Sequence, residues 1–136
     1  MATRHEIRTC EFLLLYQMDF YNDEYDEQQD IFLDELVKED PLEDDEKEKI
    51  AATMEKIIPL LPMIDEKRSE ASKGWKLNRI AKAELAILRL AVYEALYDDD
   101  IPVPVAINEA VELAKDYGRD EGYSFVNGVL STICKD

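Results

Sequence analysis

The residues of this chain whose types and spacing suggest a chemical role are basic side chains, which could bind phosphate. Between Lys67 and Arg89, seven bases stand against two acids, a local balance of +5. Such side chains bind phosphate groups through charge and hydrogen bonds. Arg4 and Arg8 lie four residues apart, which would place them on one face of a helix. The pattern is therefore compatible with a nucleic-acid partner, although the formal net charge of the 136 residues is -16.

The acidic residues are concentrated in another part of the chain. Between Asp19 and Glu48, fifteen acids stand against Lys38 and Lys47, a local balance of -13. The distribution of charge therefore matters more than its sum. We expect an acidic surface in the first half of the chain and a basic strip in its middle.

No group of residues has the spacing of a catalytic or metal site. His5 is the only histidine, and Cys10 and Cys134 lie at opposite ends of the chain. The sequence has no Gly-rich phosphate loop, no G-x-S-x-G elbow and no H-E-x-x-H pair. We therefore expect no enzymatic activity, no metal or other cofactor, no small-molecule substrate and no structural disulfide.

The start of the chain, MATRHEIRTC, lacks the apolar stretch of a signal peptide. No apolar run approaches the roughly 18 residues that a membrane span needs. These features predict a cytoplasmic protein without a membrane partner.

Apolar residues recur at intervals of three and four along nearly the whole chain, which predicts an all-α protein. Proline at positions 59 and 62 should kink or end the third helix, which then resumes. A short turn of helix is expected near 77–80. The helices that we expect cover about 3–20, 27–39, 43–69, 82–97, 105–117 and 120–134.

Particular residues predict four details of the helices. In the long helix 82–97, Leu85, Leu88, Val92 and Leu96 should form the buried stripe. Gly118 should end the next helix in a left-handed conformation. Gly128 should let another helix come close. The residues expected to tie helices together as buried polar groups are Asn108 and Asn127.

Three blocks in the second half carry a resemblance to a known family. They are LRLAVYE (residues 88–94), the IP…VAINEAVELAK run (101–115) and FVNGVL (125–130). In this order and at this spacing, the blocks closely resemble the C-terminal half of NusB proteins. The similarity is strongest after Trp75, whereas from Tyr21 to Ser72 only length and helical pattern agree.

The resemblance implies a fold and a set of partners. The fold would be NusB-like, with about six to seven helices in two packed small bundles within one domain, at about 1–70 and 71–136. The function would be transcription antitermination. With NusE, a small-subunit ribosomal protein, such a protein binds the boxA RNA of nascent ribosomal RNA transcripts and helps to assemble the antitermination complex on RNA polymerase.

The resemblance also assigns roles to residues. Tyr117 and Phe125 could stack on unpaired bases, although Phe125 could equally be a core residue. Tyr16 and Glu84 would face NusE, with surface capping as the alternative for Glu84. The implied RNA contacts are Arg4, His5, Arg8, Lys76, Arg79, Arg89, Tyr117, Glu121 and Phe125.

The chain departs from the family pattern at its N-terminus, where arginines are fewer and Glu6 and Glu11 lie among them. We therefore expect weak RNA binding alone and much tighter binding with NusE. Two alternatives stay open. One is a homodimeric, protein-only interaction module with weak or lost RNA binding, and the other is an acidic nucleic-acid mimic based on Asp19–Glu48.

Overall fold

This computed structural model describes residues 3–18, 42–73 and 81–134. The described residues contain helices and no strand, so the all-α prediction is confirmed. The chain forms two compact units, residues 1–58 and 59–136. The helix expected at 27–39 and the turn expected near 77–80 lie outside the described residues.

Helix α1 (Arg4–Met18) begins with a capping box. The backbone N–H of Glu6 donates to Oγ1 of Thr3 at 3.1 Å, and the N–H of Thr3 donates to the Glu6 carboxylate at 2.9 Å. This reciprocal pair satisfies two amide groups that a helix start leaves open. Glu6 therefore has a structural reason to lie among the arginines.

In the described part of the first unit, α1 and helix α2 (Asp44–Ile57) pack against each other. The start of α2 is closed by Glu46, whose side chain accepts the N–H of Glu43 at 3.0 Å. Among residues 3–18 and 42–58, the buried apolar ones are Cys10, Phe12, Leu14, Leu15, Leu42, Ile50, Met54 and Ile57.

The two prolines act as the sequence predicts. A short 3-10 turn, Ile58–Leu60, follows α2, and the chain resumes as helix α3 (Leu61–Ala71). Pro62 lies in the first turn of α3, where the missing N–H breaks no helical hydrogen bond. Because α3 packs against the last part of the chain, it belongs to the second unit and not with the first bundle.

The centre of the second unit is helix α4 (Lys82–Tyr97), which contacts α3, helix α5 (Val103–Tyr117) and helix α6 (Gly122–Ile133). Because α4 has neighbours on several sides, its buried residues do not form one stripe. The predicted stripe is wrong at Leu96, which is exposed, and at Leu85, which is half-buried. The buried apolar residues of α4 are Ala86, Ile87, Leu88, Leu90, Ala91, Val92 and Tyr93.

Helix α5 starts two residues earlier than predicted, because Pro102 takes the position before the helix and Pro104 lies in its first turn. Its buried face consists mostly of alanines. Small side chains let two helix backbones approach closely. The buried residues of α5 are Ala106, Ala110, Leu113 and Ala114.

The prediction of a buried polar tie between Asn108 and Asn127 is wrong. Both side chains are exposed, and they line a groove of about 590 Å³ between α5 and α6 together with Val111, Lys115 and Tyr123. On α6, position 127 lies outside the stripe that Val126, Val129 and Leu130 form.

Among the described helices, none is both long enough and apolar enough to cross a lipid bilayer.

Candidate nucleic-acid interface

Residues 117–123 join α5 to α6 and are called the α5–α6 corner below. Tyr117 is 45% exposed and Tyr123 is 40% exposed, and Glu121 is also exposed. The amino group of Lys115 lies 5.6 Å from the centre of the Tyr123 ring, within the range of a cation–π contact. The corner therefore presents two aromatic rings, a combination that suits unpaired bases.

The corner is fixed to α4 by Glu84, whose carboxylate accepts three hydrogen bonds from Arg119. The backbone N–H and Nε of Arg119 each donate to Oε2 at 3.0 Å, and Nη2 donates to Oε1 at 2.6 Å. The Glu84 side chain is 0% exposed, whereas that of Arg119 is 49% exposed. The pair thus has one buried partner and one that reaches solvent.

The pKa of Glu84 reflects two opposing effects. Burial raises it, but the side-chain and backbone hydrogen bonds from Arg119, together with its charge, outweigh burial. The net result is a pKa below the ordinary value of 4.5. Glu84 is therefore ionised at neutral pH, with Arg119 compensating the charge that the interior would otherwise disfavour.

Two glycines let Glu84 come this close. A Cβ atom on Gly122 would lie 2.9 Å from Cδ of Glu84 and closer still to its Oε2. One on Gly118 would lie 3.3 Å from the same Oε2 and 2.7 Å from the carbonyl oxygen of Ala114. These positions have no room for a larger residue.

The left-handed conformation predicted for Gly118 is wrong. Its φ is -88° and its ψ is -178°, an extended conformation that any residue adopts. Its N–H donates to the carbonyl of Ala114 at 2.9 Å, closing the end of α5. Glycine is required there by close contact and not by backbone torsion.

The expectation that Glu84 lies at the surface is wrong as well. Its position in the first turn of α4 suggested an exposed contact to a basic partner, but the carboxylate is buried and bonded to Arg119. A carboxylate in an apolar helix needs a partner within the fold when it points inward. The partner is a cation of this same chain.

Arg89 is committed to a contact within the fold. Its Nε donates to Oδ1 of Asp65 at 3.0 Å and its Nη2 donates to Oδ2 at 2.9 Å, and the Arg89 side chain is only 13% exposed. This two-pronged pair ties α4 to α3. The sequence suggested that Arg89 extends a phosphate-binding strip. That expectation is wrong, because its guanidinium is bonded to Asp65.

Two further predicted contacts are buried. Phe125 is 3% exposed, so its ring is a core residue in this structure and has no open face for a base. Arg8 is also 3% exposed. The idea that Arg4 and Arg8 present one exposed pair is therefore wrong, because only Arg4 of the two is exposed. Helical spacing gives the face of a residue but does not reveal what packs on it.

For the other predicted site residues, the roles that the resemblance implies stay predictions. His5 is half-buried. Tyr16 is also half-buried, and its ring centre lies 6.2 Å from that of Phe12. Lys76 and Arg79 lie outside the described residues.

The thiols have no features of a reactive site. Cys10 is buried, and burial, with Glu11 and Glu6 nearby, raises the pKa of its thiol to about 11. Burial also raises the pKa of Cys134. A thiol with a raised pKa is protonated at neutral pH and is a poor nucleophile and metal ligand.

Comparison with known proteins places this geometry in a family. A family model described as the NusB family matches residues 5–135. The chain belongs to the NusB family. The transcription antitermination protein NusB of Agathobacter rectalis is 48% identical over 133 residues, which cover 95% of this chain and 97% of that protein. The NusB match thus spans both compact units.

Solved NusB structures agree with the fold. T. maritima NusB is 36% identical, with a TM-score of 0.80 over 100% of this chain and 94% of that one. A chain in a crystal structure of the antitermination factors NusB and NusE in complex with double-stranded RNA is 26% identical, with a TM-score of 0.79 over 97% of this chain and 96% of that one. The predicted NusB-like fold is confirmed.

Sequence reasoning missed Arg119, Gly122 and Tyr123. A signal for Arg119 was present, since Glu84 interrupts an apolar helix and a buried carboxylate calls for a cation elsewhere in the chain. The link GRDEG (118–122) places an arginine between two glycines, which permit close approach. No such signal existed for Tyr123, because its exposure depends on how α6 packs.

Proposed function

We propose that this protein is a transcription antitermination factor. With NusE, it binds boxA RNA of nascent ribosomal RNA transcripts and helps to assemble the antitermination complex on RNA polymerase. The observation that carries this proposal is the NusB match over residues 5–135, together with likeness at full length to a NusB chain from a complex with NusE and RNA. The role is non-enzymatic and cytoplasmic.

RNA contact is assigned to those predicted residues whose side chains are not buried. In the second unit the residues assigned to RNA are Tyr117 and Glu121 of the α5–α6 corner. In the first unit they are Arg4 and His5, at the start of α1. Tyr117 supplies a face for stacking, worth roughly 1–3 kcal/mol per base. Arg4 supplies an exposed cation, and Tyr16 is the residue assigned to NusE.

The charge of the protein predicts how strongly it binds. Phosphate binding depends on cations that displace counterions from the RNA. The net charge is -16, and two of the predicted cationic contacts are unavailable, because Arg8 is buried and Arg89 is bonded to Asp65. RNA affinity is therefore weak for the protein alone and increases when NusE adds its basic surface.

Fluorescence anisotropy of a labelled boxA RNA at fixed salt tests this proposal. The protein is titrated alone and with equimolar NusE, with a scrambled RNA as the control. We expect weak binding alone, tighter binding with NusE and a preference for boxA. Equal affinity with and without NusE, or for the two RNAs, would contradict it.

A variant of Arg4 tests the proposed contact at α1. Arg4→Glu should weaken binding of the NusE complex to RNA, because it places an acid next to phosphate. Lys49→Glu is the matched control, since Lys49 is exposed on α2 and the charge change is the same. An equal effect of the two variants would indicate a response to net charge alone and remove the contact at Arg4.

One observation favours a homodimeric interaction module as the second candidate. Met63 and Leu96 are exposed apolar residues that line one groove of about 810 Å³, together with Ile133. Exposed apolar patches commonly mark protein contacts. Light scattering of the free protein decides: a dimer that Leu96→Asp converts to a monomer supports this candidate, and a monomer at all concentrations removes it.

A further inference from the structure

Arg119 has hydrogen-bonding capacity that the fold does not use. A guanidinium carries five N–H donors, and Glu84 takes two of them, one at Nε and one at Nη2. Three donors are left, and the side chain is 49% exposed. Within the described parts of the chain, Glu84 is the one group that accepts hydrogen bonds from the Arg119 side chain.

The surroundings of Arg119 fit an RNA strand. Tyr117 and Tyr123, on either side of it in sequence, expose aromatic rings. Asp120 and Glu121 are also exposed and oppose phosphate at long range. The guanidinium must therefore act by direct hydrogen bonds, which do not require a positive field around them.

We propose that Arg119 is a phosphate ligand for the RNA and that Glu84 is its positioning residue. The inference rests on the proposed function. One edge of the planar guanidinium is held by a carboxylate that is itself buried, so the other edge is presented in a fixed orientation. A cation ordered before binding loses less conformational freedom when it meets phosphate.

The pair also explains how a buried acid can serve an RNA-binding surface. Glu84 lies beneath the corner, with its charge compensated by three hydrogen bonds from Arg119. The solvent-facing group is the cation. The corner therefore presents Arg119 together with two tyrosines, and Phe125 takes no direct part.

Binding of boxA RNA by the complex with NusE tests the proposal, measured by anisotropy at four or more salt concentrations. Arg119→Ala should weaken binding about tenfold, the size of one charge-assisted hydrogen bond. It should also reduce the slope of log affinity against log salt by about 0.7, the value for one phosphate contact on a single strand. Arg119→Lys should retain the slope and lose part of the affinity, because lysine cannot bond to both groups with a planar fork.

Lys73→Ala is the matched control. Lys73 is an exposed cation in an ion pair with Glu70 at 2.8 Å. Glu70 lines a groove with Leu96 and Ile133, at the opposite ends of α4 and α6 from Glu84 and Gly122. The same loss of charge at this distance should leave both affinity and slope unchanged.

The positioning role of Glu84 has its own readout. Glu84→Gln should lower the affinity several-fold and leave the salt slope unchanged, since Arg119 keeps its charge but loses its fixed orientation. An unchanged or increased affinity would overturn the positioning role.

The outcomes separate the inference from the proposed function. If the wild-type complex binds boxA and Arg119→Ala retains both its affinity and its slope, the phosphate contact is wrong and the function stands. If the wild-type complex does not bind boxA, both fail. Circular dichroism shows whether Arg119→Ala folds. If it does not, Arg119→Lys is the deciding variant. Wild-type affinity and slope in Arg119→Lys would overturn the contact in which the planar guanidinium bonds to both Glu84 and phosphate.

Discussion

Glu84 and Arg119 are 35 residues apart in sequence and share three hydrogen bonds, with the carboxylate buried and the guanidinium half-exposed. The pair joins the first turn of α4 to the link between α5 and α6. Because α4 is the central helix of its unit, the corner is attached to the most buried element available. The surface that we assign to RNA is therefore fixed from beneath.

Removing Arg119 should lower the stability of the protein. Arg119→Ala leaves a buried carboxylate with a single backbone donor, a loss of about 2–3 kcal/mol in the free energy of unfolding. Urea denaturation followed by circular dichroism measures it. Lys73→Ala, which breaks an exposed ion pair, should change stability by less than about 1 kcal/mol.

A double-mutant cycle with Glu84→Gln tests the coupling itself. The double variant should be destabilised by less than the sum of the single variants, because each change removes the same interaction. Strict additivity would mean that the two side chains do not stabilise each other.

The pair predicts a pH dependence of stability. The pKa of Glu84 in the folded protein lies below its ordinary value of 4.5, despite the burial that raises it, because Arg119 bonds to the charged form. The stabilisation is thus fully present above the unfolded-state pKa and is lost as the pH falls through the folded-state pKa. Between pH 6 and pH 3, wild type should lose more stability than Glu84→Gln. Equal losses would show that other carboxylates account for the acid sensitivity.

Gly122→Ala should destabilise the protein, although alanine favours helices by about 1 kcal/mol over glycine. The added Cβ would lie 2.9 Å from Cδ of Glu84, so the carboxylate must move away from Arg119. Thermal unfolding measures the effect. In the Glu84→Ala background the same substitution should be neutral or stabilising, and an equal loss in both backgrounds would argue against the contact.

Arg89→Ala separates stability from RNA binding. Its two bonds to Asp65 tie α3 to α4, so we expect a loss of about 1–3 kcal/mol in stability. Below the unfolding transition, RNA affinity of the complex with NusE should be unchanged. A large loss of affinity in a folded Arg89→Ala protein would restore the direct contact that the sequence suggested.

The sequence predicts the helices well because their signals are local. Periodicity predicts α4 at about 82–97, which agrees with the observed helix, and the prolines locate the break at Pro59 and Pro62. Burial is harder to predict, since it depends on contacts between distant segments. The sequence predicts the helices that hold Arg8, Phe125 and Leu96. It does not predict how exposed these three side chains are.

The candidate site remains a prediction, and the sequence says more about its place in the chain than about its composition. The family resemblance points to the link before FVNGVL, but it does not point to Arg119, which organises that link. Charged residues that lie near each other in sequence are easily compared, whereas the Glu84–Arg119 pair, 35 residues apart, requires knowledge of how α4 meets the α5–α6 corner. The sequence predicts backbone freedom as the reason for glycine at position 118, whereas close contact with Glu84 and Ala114 explains it.

Read-through of a terminator in reconstituted transcription tests the central claim most directly. RNA polymerase transcribes a template with boxA upstream of a terminator, in the presence of NusE and the other antitermination factors, with and without this protein. Read-through should increase when the protein is added to the intact template and should not increase when boxA is scrambled. Equal read-through with and without the protein on the intact template would contradict the assignment of antitermination to this chain.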